Sequence, residues 1–437
     1  MDKETQVNRE TPANVSLTPL PEQQAKLARD PYQALRFRDF RLLFIGTFIA
    51  SIGEQALTIA IGWELYTRTG SALALGGVGL VQILPVIFLS LPAGHLADQY
   101  SRRRIVIMTQ AILALASLGL TILSLTQGSL LLMYGCLLLI GIAAAFNGPA
   151  SSSLLPQTVP ERVFENAATW GSSSWQMAAV LGPTLGGLII ALSHSTAWVY
   201  LLNVGAALLF VFMVIPIRAR QHDVRSHETH EATATTMESL VEGLKFLRSS
   251  HVILAAITLD LFAVLLGGAT TLLPIYAKDI LHVGPTGFGW LRAAPSLGAV
   301  CISFCIMHAP PFKKAGRTLL LAVAGFGIAT IIFGVSHWFW LSFLMLFALG
   351  GLDNISVVIR STLLLVRTPD RMRGRISAIN SLFTGASNEL GGFESGLVAQ
   401  LFGPIIAVAG GGIGTVLVVL LVALLWPEMR NMGTLSE

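Results

Sequence analysis

The sequence predicts an all-α membrane protein, with twelve transmembrane helices in two pseudo-symmetric six-helix bundles. Three observations carry that prediction. The 437 residues are 53% hydrophobic and only 12% charged, about half the charged share of a soluble domain. Apolar runs of 18 or more residues recur along nearly the whole chain, each able to cross about 30 Å of hydrocarbon at about 1.5 Å per residue. Only helices are meant, because a spanning segment must satisfy its own backbone hydrogen bonds in lipid. Third, two distant stretches, "VPERVFENAATW...LGPTLGG" and "TPDRMRGRISAI...LGGFESG", align at a shift of 209 residues. Pro160 then meets Pro369, Arg162 meets Arg371, Gly182 meets Gly391 and Gly187 meets Gly396.

The chain opens with a polar, Pro-interrupted stretch at 1–35, which reads as a disordered tail with no cleaved signal peptide. Hydropathy and Gly, Pro and charge punctuation then place helices near 41–68, 73–97, 104–126, 129–155, 164–193 and 196–217, an N-terminal bundle over 36–218. A polar linker follows at 219–250. The second set lies near 251–281, 286–309, 317–336, 338–366, 374–403 and 404–427, a C-terminal bundle over 251–428, with a short tail at 429–437. Six is even, so both bundles enter from one side and run parallel about an axis along the membrane normal.

Basic residues orient this arrangement. Of the 28 Lys and Arg, only Arg68 and Lys278 fall on the face opposite the termini and linker, and only Arg292 and Arg360 within spans. By the positive-inside rule both termini and the linker are cytoplasmic. That distribution explains the formal charge of +4 without a nucleic-acid partner. Cys136, Cys301 and Cys305 sit in apolar runs and read as small buried side chains, with no disulfide framework. No G-x-x-x-x-G-K-[ST] loop, catalytic triad or metal-ligand spacing occurs, so an enzyme, ATP-driven transport, a cofactor and a metal are all unexpected.

The stretch "GHLADQYSRRR" resembles the loop motif between helices 2 and 3 of the major facilitator superfamily, through Gly94, Leu96, Asp98, Arg102 and Arg103. The resemblance covers about residues 35–427. Gln99 stands where the motif has a basic residue and Ser101 where it has glycine. In that superfamily the aspartate and basic residues form an ionic latch, which implies that role for Gly94, Asp98, Arg102 and Arg103. The strings "GLDNISVVIRSTLLLVRTPDRMRGRISAINSLFTGASNELGGFESG" and "DLFAVLLGGATTLLPIYAKDIL" resemble the branch of bacterial siderophore exporters and multidrug or macrolide efflux proteins. Helix 5 carries Gly182, Pro183, Gly186 and Gly187, the second half of an antiporter motif. Ala178 and Thr169 stand at its upstream glycine positions, so the motif is partial, and either export direction or close helix packing accounts for those glycines. What the resemblance implies is a monomeric secondary exporter of a small molecule, working by alternating access as a proton antiporter. An uptake or facilitated-diffusion carrier, or a non-transporting sensor or scramblase on the same fold, stays open.

An ionisable group near the bilayer centre costs about 2.5–3.5 kcal/mol, so each invites a functional reading. Asp260, Glu54 and Glu389 sit at depths that suit proton coupling; a purely structural role for Asp260 is the alternative. Arg360, Asp353 and Glu394 are candidates to line a substrate cavity. Asp353 and Arg360 are seven residues apart on one face, so a structural pair between them, or between Arg360 and Glu389, competes with anion recognition. Arg292 reads as snorkelling toward the surface, and Glu64 and Asp279 as solvated. Trp170, Trp175 and Phe262 are candidates to stack on a flat apolar substrate.

Overall fold

The computed structural model describes residues 31–217, 245, 247–248, 250–310, 312, 314–369 and 372–433; for some of these, among them Asp98, Arg373 and Arg375, it describes the backbone alone. The expectations for the first 30 residues, most of the linker and the last four residues lie outside the described residues.

Among the described residues twelve long helices follow one another: α1 (Arg38–Thr69), α2 (Ala72–Gln99), α3 (Arg102–Leu125), α4 (Leu130–Leu154), α5 (Phe164–Ser193), α6 (Ala197–Val214), α7 (His251–Leu266), α8 (Gly284–His308), α9 (Ala315–Val335), α10 (Phe339–Arg367), α11 (Arg373–Phe402) and α12 (Pro404–Leu425). Among the described residues, eleven helical segments are long and apolar enough to span a membrane. The remaining helix, α11, has 30 residues but carries Arg373, Arg375, Glu389 and Glu394. Those charges keep its hydropathy low. Gly70 ends α1 at a positive φ of 62°, the left-handed cap that glycine adopts without strain.

One predicted helix is not continuous. The span expected over 251–281 stops at Leu266, passes Gly267 and Gly268, and resumes as a 3₁₀ turn (Ala269–Leu272), a short α turn (Leu273–Ile275) and a π turn (Tyr276–Ile280). The cause is local. Two glycines and Pro274 weaken the helix here, and a Cβ on Gly268 would lie 2.6 Å from the Gly391 carbonyl oxygen.

Within the first half α1 packs on α5 and α6, α3 on α4 and α6, and α2 on α4; within the second, α7 packs on α11 and α12, α9 on α10 and α12, and α8 on α10. Two interfaces join the halves, α5 against α8 and α2 against α11. Exchanging the halves turns one interface into the other. The internal repeat is also visible in atomic contacts. Gly182 lies against Gln55 and Ala56, while Gly391 lies against Val264 and Leu265, the same positions after the 209-residue shift.

Four exposures differ from the sequence reading. Cys301 and Cys305 are exposed and Cys136 half-buried, because an apolar residue of a spanning helix can face lipid as readily as a core. Glu64 is buried, only 4% exposed, and is treated with the polar groups below.

Candidate functional site

Where the halves meet they enclose a cavity of about 600 Å³, lined from both sides. The first half contributes Gln55, Thr58 and Gly62 of α1, Gly79 and Gln82 of α2, and Trp175 and Pro183 of α5. The second contributes Gly267, Thr271, Phe288 and Arg292, Asp353 of α10, and Asn388 and Glu389 of α11. Apolar walls with a few convergent polar groups are the usual form of a small-molecule site.

The end that carries the α1–α2, α5–α6 and α11–α12 turns, here the turn end, is shut by backbone approach. A Cβ on Gly187 would meet the Pro285 carbonyl oxygen at 2.4 Å and the Gly289 Cα at 3.1 Å; one on Gly396 would meet the Ala72 oxygen at 2.8 Å and the Gly76 Cα at 2.9 Å. Each crossing is glycine on glycine, and the two are related by the internal repeat. Side chains add to the closure. Trp63 stacks on Phe288 with ring centroids 6.1 Å apart, the Tyr66 hydroxyl donates to Asp279, Lys278 sits 5.3 Å over the Tyr66 ring, and Ser71 donates to Gln400 at 2.9 Å. Asp279, expected to be solvated, is thereby tied across the halves.

The sequence candidates separate into groups. Glu389, Asp353 and Trp175 line the cavity. Glu389 lies beside Gly79, where a Cβ would stand 2.3 Å from its carboxylate oxygen, and its charge bears on Arg292. Arg292 therefore does not snorkel to the surface; it is a cavity cation. Asp260 is paired with Arg360, and both are buried, 6% and 4% exposed. The expected partners of Arg360, Asp353 and Glu389, both face the cavity instead. Asp353 shares a helix face with Arg360, but α7 supplies the nearer carboxylate. Trp170 stands away from the cavity lining: its indole donates to the Pro31 carbonyl oxygen at 2.8 Å and packs on Tyr32 and Phe44. Phe262 and Glu394 are also outside that lining, Phe262 exposed and Glu394 accepting from Ser395 at 3.4 Å.

Glu54 does not line the cavity; its carboxyl is set against the Gln110 side chain of α3. Gly182 and Gly186 fit α5 onto α1, and Gly187 fits it onto α8, with Pro183 in the cavity wall. Arg102 donates to the Ser153 carbonyl oxygen at 3.3 Å and Arg103 to that of Ile215, so both hold the α2–α3 loop to its own half. Gly94 has open space around it, and the contacts of the Asp98 carboxylate lie outside the described residues. Sequence reasoning passed over Gln55, Gln82 and Asn388. The signal was present: an uncapped amide inside an apolar span is costly unless something uses it.

Two halves of six helices around a shared central cavity define a membrane transporter of the major facilitator type. The chain belongs to the transmembrane secretion effector family of that superfamily, which it matches over residues 29–435. Among curated relatives, an enterobactin exporter, EntS, of Citrobacter koseri is 25% identical over 394 residues, 90% of this chain and 92% of the relative. The enterobactin exporter of Escherichia coli is 23% identical over the same shares. Solved structures share the fold at 13–14% identity: a peptide transporter, POT, with a TM-score of 0.71, covering 95% of this chain and 100% of that one; and a bacterial homolog of the human lysosomal transporter Spinster, inward-facing and unoccupied, with a TM-score of 0.67, covering 90% and 95%. The protein is thus a multi-pass transporter and not an enzyme.

Proposed function

We propose that this protein exports a small amphiphilic molecule, siderophore-like or drug-like, across a bacterial inner membrane by alternating access with proton antiport. The observation that carries this reading is the central cavity of about 600 Å³ between the halves, with Arg292, Glu389 and Asp353 in its wall. A molecule in the size range of a large drug fits such a volume. An arginine with a carboxylate counter-ion offers a site for a phenolate or carboxylate group, as an enterobactin-like substrate would present. The curated relatives named as enterobactin exporters support export over uptake.

The distribution of Lys and Arg supports a cytoplasmic position for both termini and the linker. The turn end then faces outward, and the arrangement is inward-facing, with the cavity wall residue Trp175 57% exposed. Rocking of the halves, taken as units over 36–218 and 251–428, would open the glycine crossings and close the other end around Asp98, Arg102 and Arg103. Glu54, Glu389 and Asp353 are the coupling carboxylates in this scheme. Asp260 holds Arg360 and is structural.

Everted vesicles test the reading. With an imposed proton gradient, enterobactin should accumulate inside, and a protonophore should abolish the accumulation. Accumulation that is indifferent to the protonophore would remove antiport; export that persists unchanged in a deletion strain grown under iron limitation would remove the siderophore-like substrate.

A further inference from the structure

The first half carries a second set of buried polar groups, away from the cavity wall, where α1, α3 and α6 meet. On α3, Gln110, Ser117 and Ser124 follow at intervals of seven, and on α6, Thr196 and Asn203 are also seven apart. Seven residues are two helical turns, about 10 Å of rise, so each set forms one line along its helix. All five are 8% exposed or less, as are Tyr200 and Glu64 beside them. Asn203 donates to Ser117 at 2.8 Å, Ser124 lies 2.9 Å from Thr196, Thr196 donates to Glu64 at 2.6 Å, and Glu64 pairs with Arg68 at 3.2 Å. At the other end Asn203 abuts Gly53, where a Cβ would come 2.6 Å from its Oδ1. The next residue is Glu54, set against Gln110. One turn on from Glu54 stands Thr58, which lines the cavity.

Two atoms of this seam, Gln110 Oε1 and Asn203 Oδ1, are buried with no hydrogen-bond partner among the described residues. A buried polar atom without a partner costs about 1–3 kcal/mol, and the ordinary remedy is an internal water. They stand at Glu54 and midway along the seam, and the buried Tyr200 hydroxyl lies beyond them, close to Glu64 and Thr196. The second half is the internal control. Position 54 maps onto Ala263 by the 209-residue shift, and the matching crossing of α7, α9 and α12 is built from Ala263, Phe326 and Gly412. Its hydroxyls, Thr330 and Thr415, donate to backbone carbonyls. The fold therefore does not need a polar seam at this crossing.

The geometry points to a hydrated proton path inside the first half, running from Arg68 and Glu64 at the turn end to Glu54 at the edge of the cavity, separate from the route of the substrate. This rests on the antiport reading above. Each hydroxyl or water accepts a proton on a lone pair and releases its own to the next acceptor, so the charge moves without any bond but O–H being exchanged. Asn203 cannot relay in this way and instead holds Ser117 and a water in line.

The test uses the full chain in proteoliposomes with enterobactin as probe. Two rates are compared: enterobactin uptake driven by a proton gradient, and enterobactin counterflow without one. Asn203→Leu and Ser117→Val should each lower the driven rate by about tenfold while counterflow stays within about twofold; Thr415→Val in the second half should change neither. Driven transport intact in both variants overturns the path and leaves antiport standing. A wild type with counterflow but no response to the gradient overturns antiport and the path together. Hydroxyl-radical footprinting needs no substrate: Tyr200 should be oxidised in the wild type and protected in Ser117→Val, and a wild-type Tyr200 that stays unlabelled overturns the internal water.

Discussion

Arg360 illustrates what a single side chain does in this protein. Its guanidinium and the Asp260 carboxylate are both withdrawn from solvent, and a lone buried charge is far more costly than a pair. Arg360→Leu should therefore lower stability by about 3–5 kcal/mol, seen as a fall in the thermal unfolding midpoint of purified protein. Adding Asp260→Asn should recover most of that loss. A double variant no better than the single one would mean the two charges are not each other's partner. In the cavity, Gly79 leaves room for Glu389, which lines the same wall as Arg292. Gly79→Ala should push that carboxylate away and cut transport of enterobactin by about tenfold with little change in stability, measured as uptake into vesicles at matched protein levels. At this scale the sequence was only partly legible. Depth from the ends of a span singled out Asp260, Glu54 and Glu389, and spacing put Asp353 on the face of Arg360. Which of them Arg360 meets depends on the rotation of three helices about their axes, and hydropathy in long apolar helices fixes that rotation poorly. Glu64 was misread for the same reason: nearness to a helix end says nothing of the neighbouring α6, whose Thr196 takes it in.

Among the helices, α2, α5, α8 and α11 carry the contact between the halves, and glycine decides how close they come. Small residues let helices approach in lipid, where packing and not water exclusion drives association. At both crossings a Cβ would meet backbone that cannot swing aside, so Gly187→Val and Gly396→Val should hold the turn end apart. In a background with Cys136, Cys301 and Cys305 replaced by serine, Leu73→Cys and Gln400→Cys should cross-link readily, since the Leu73 amide donates to Gln400 at 3.4 Å. Adding Gly187→Val should reduce that cross-link several-fold; an undiminished yield would show that the crossing does not set the closure. Eleven of the twelve elements followed directly from apolar runs and their punctuation. The exception is the helix after the linker, where an unbroken hydropathy signal hid the interruption at Gly267–Gly268. Apolar composition continues through a broken helix; only the glycine pair and Pro274 marked the site.

For the whole molecule, the repeat and the basic residues together make a claim about sidedness. The 209-residue shift reproduces the contacts of Gly182 in those of Gly391 and pairs the crossing at Gly187 with that at Gly396, so the halves are built alike and meet alike. Their polar interiors are not alike, which assigns the seam to what the first half does and not to how it folds. A molecule closed at the turn end and lined at the other by an exposed Trp175 should admit water from one side only. Trp175→Cys in the cysteine-free background should react with a membrane-impermeant maleimide in everted vesicles, which present the cytoplasmic face, and hardly at all in right-side-out ones. Trp63→Cys, stacked on Phe288 at the closed end, should resist the reagent from both sides. Introducing Gly187→Val, which opens the crossing, should expose position 63 in right-side-out vesicles alone. Labelling of position 175 only from the outer face would reverse the topology drawn from the arginines, and equal labelling from both faces would mean that the one cavity opens to either side about equally often, against a resting state closed at the turn end.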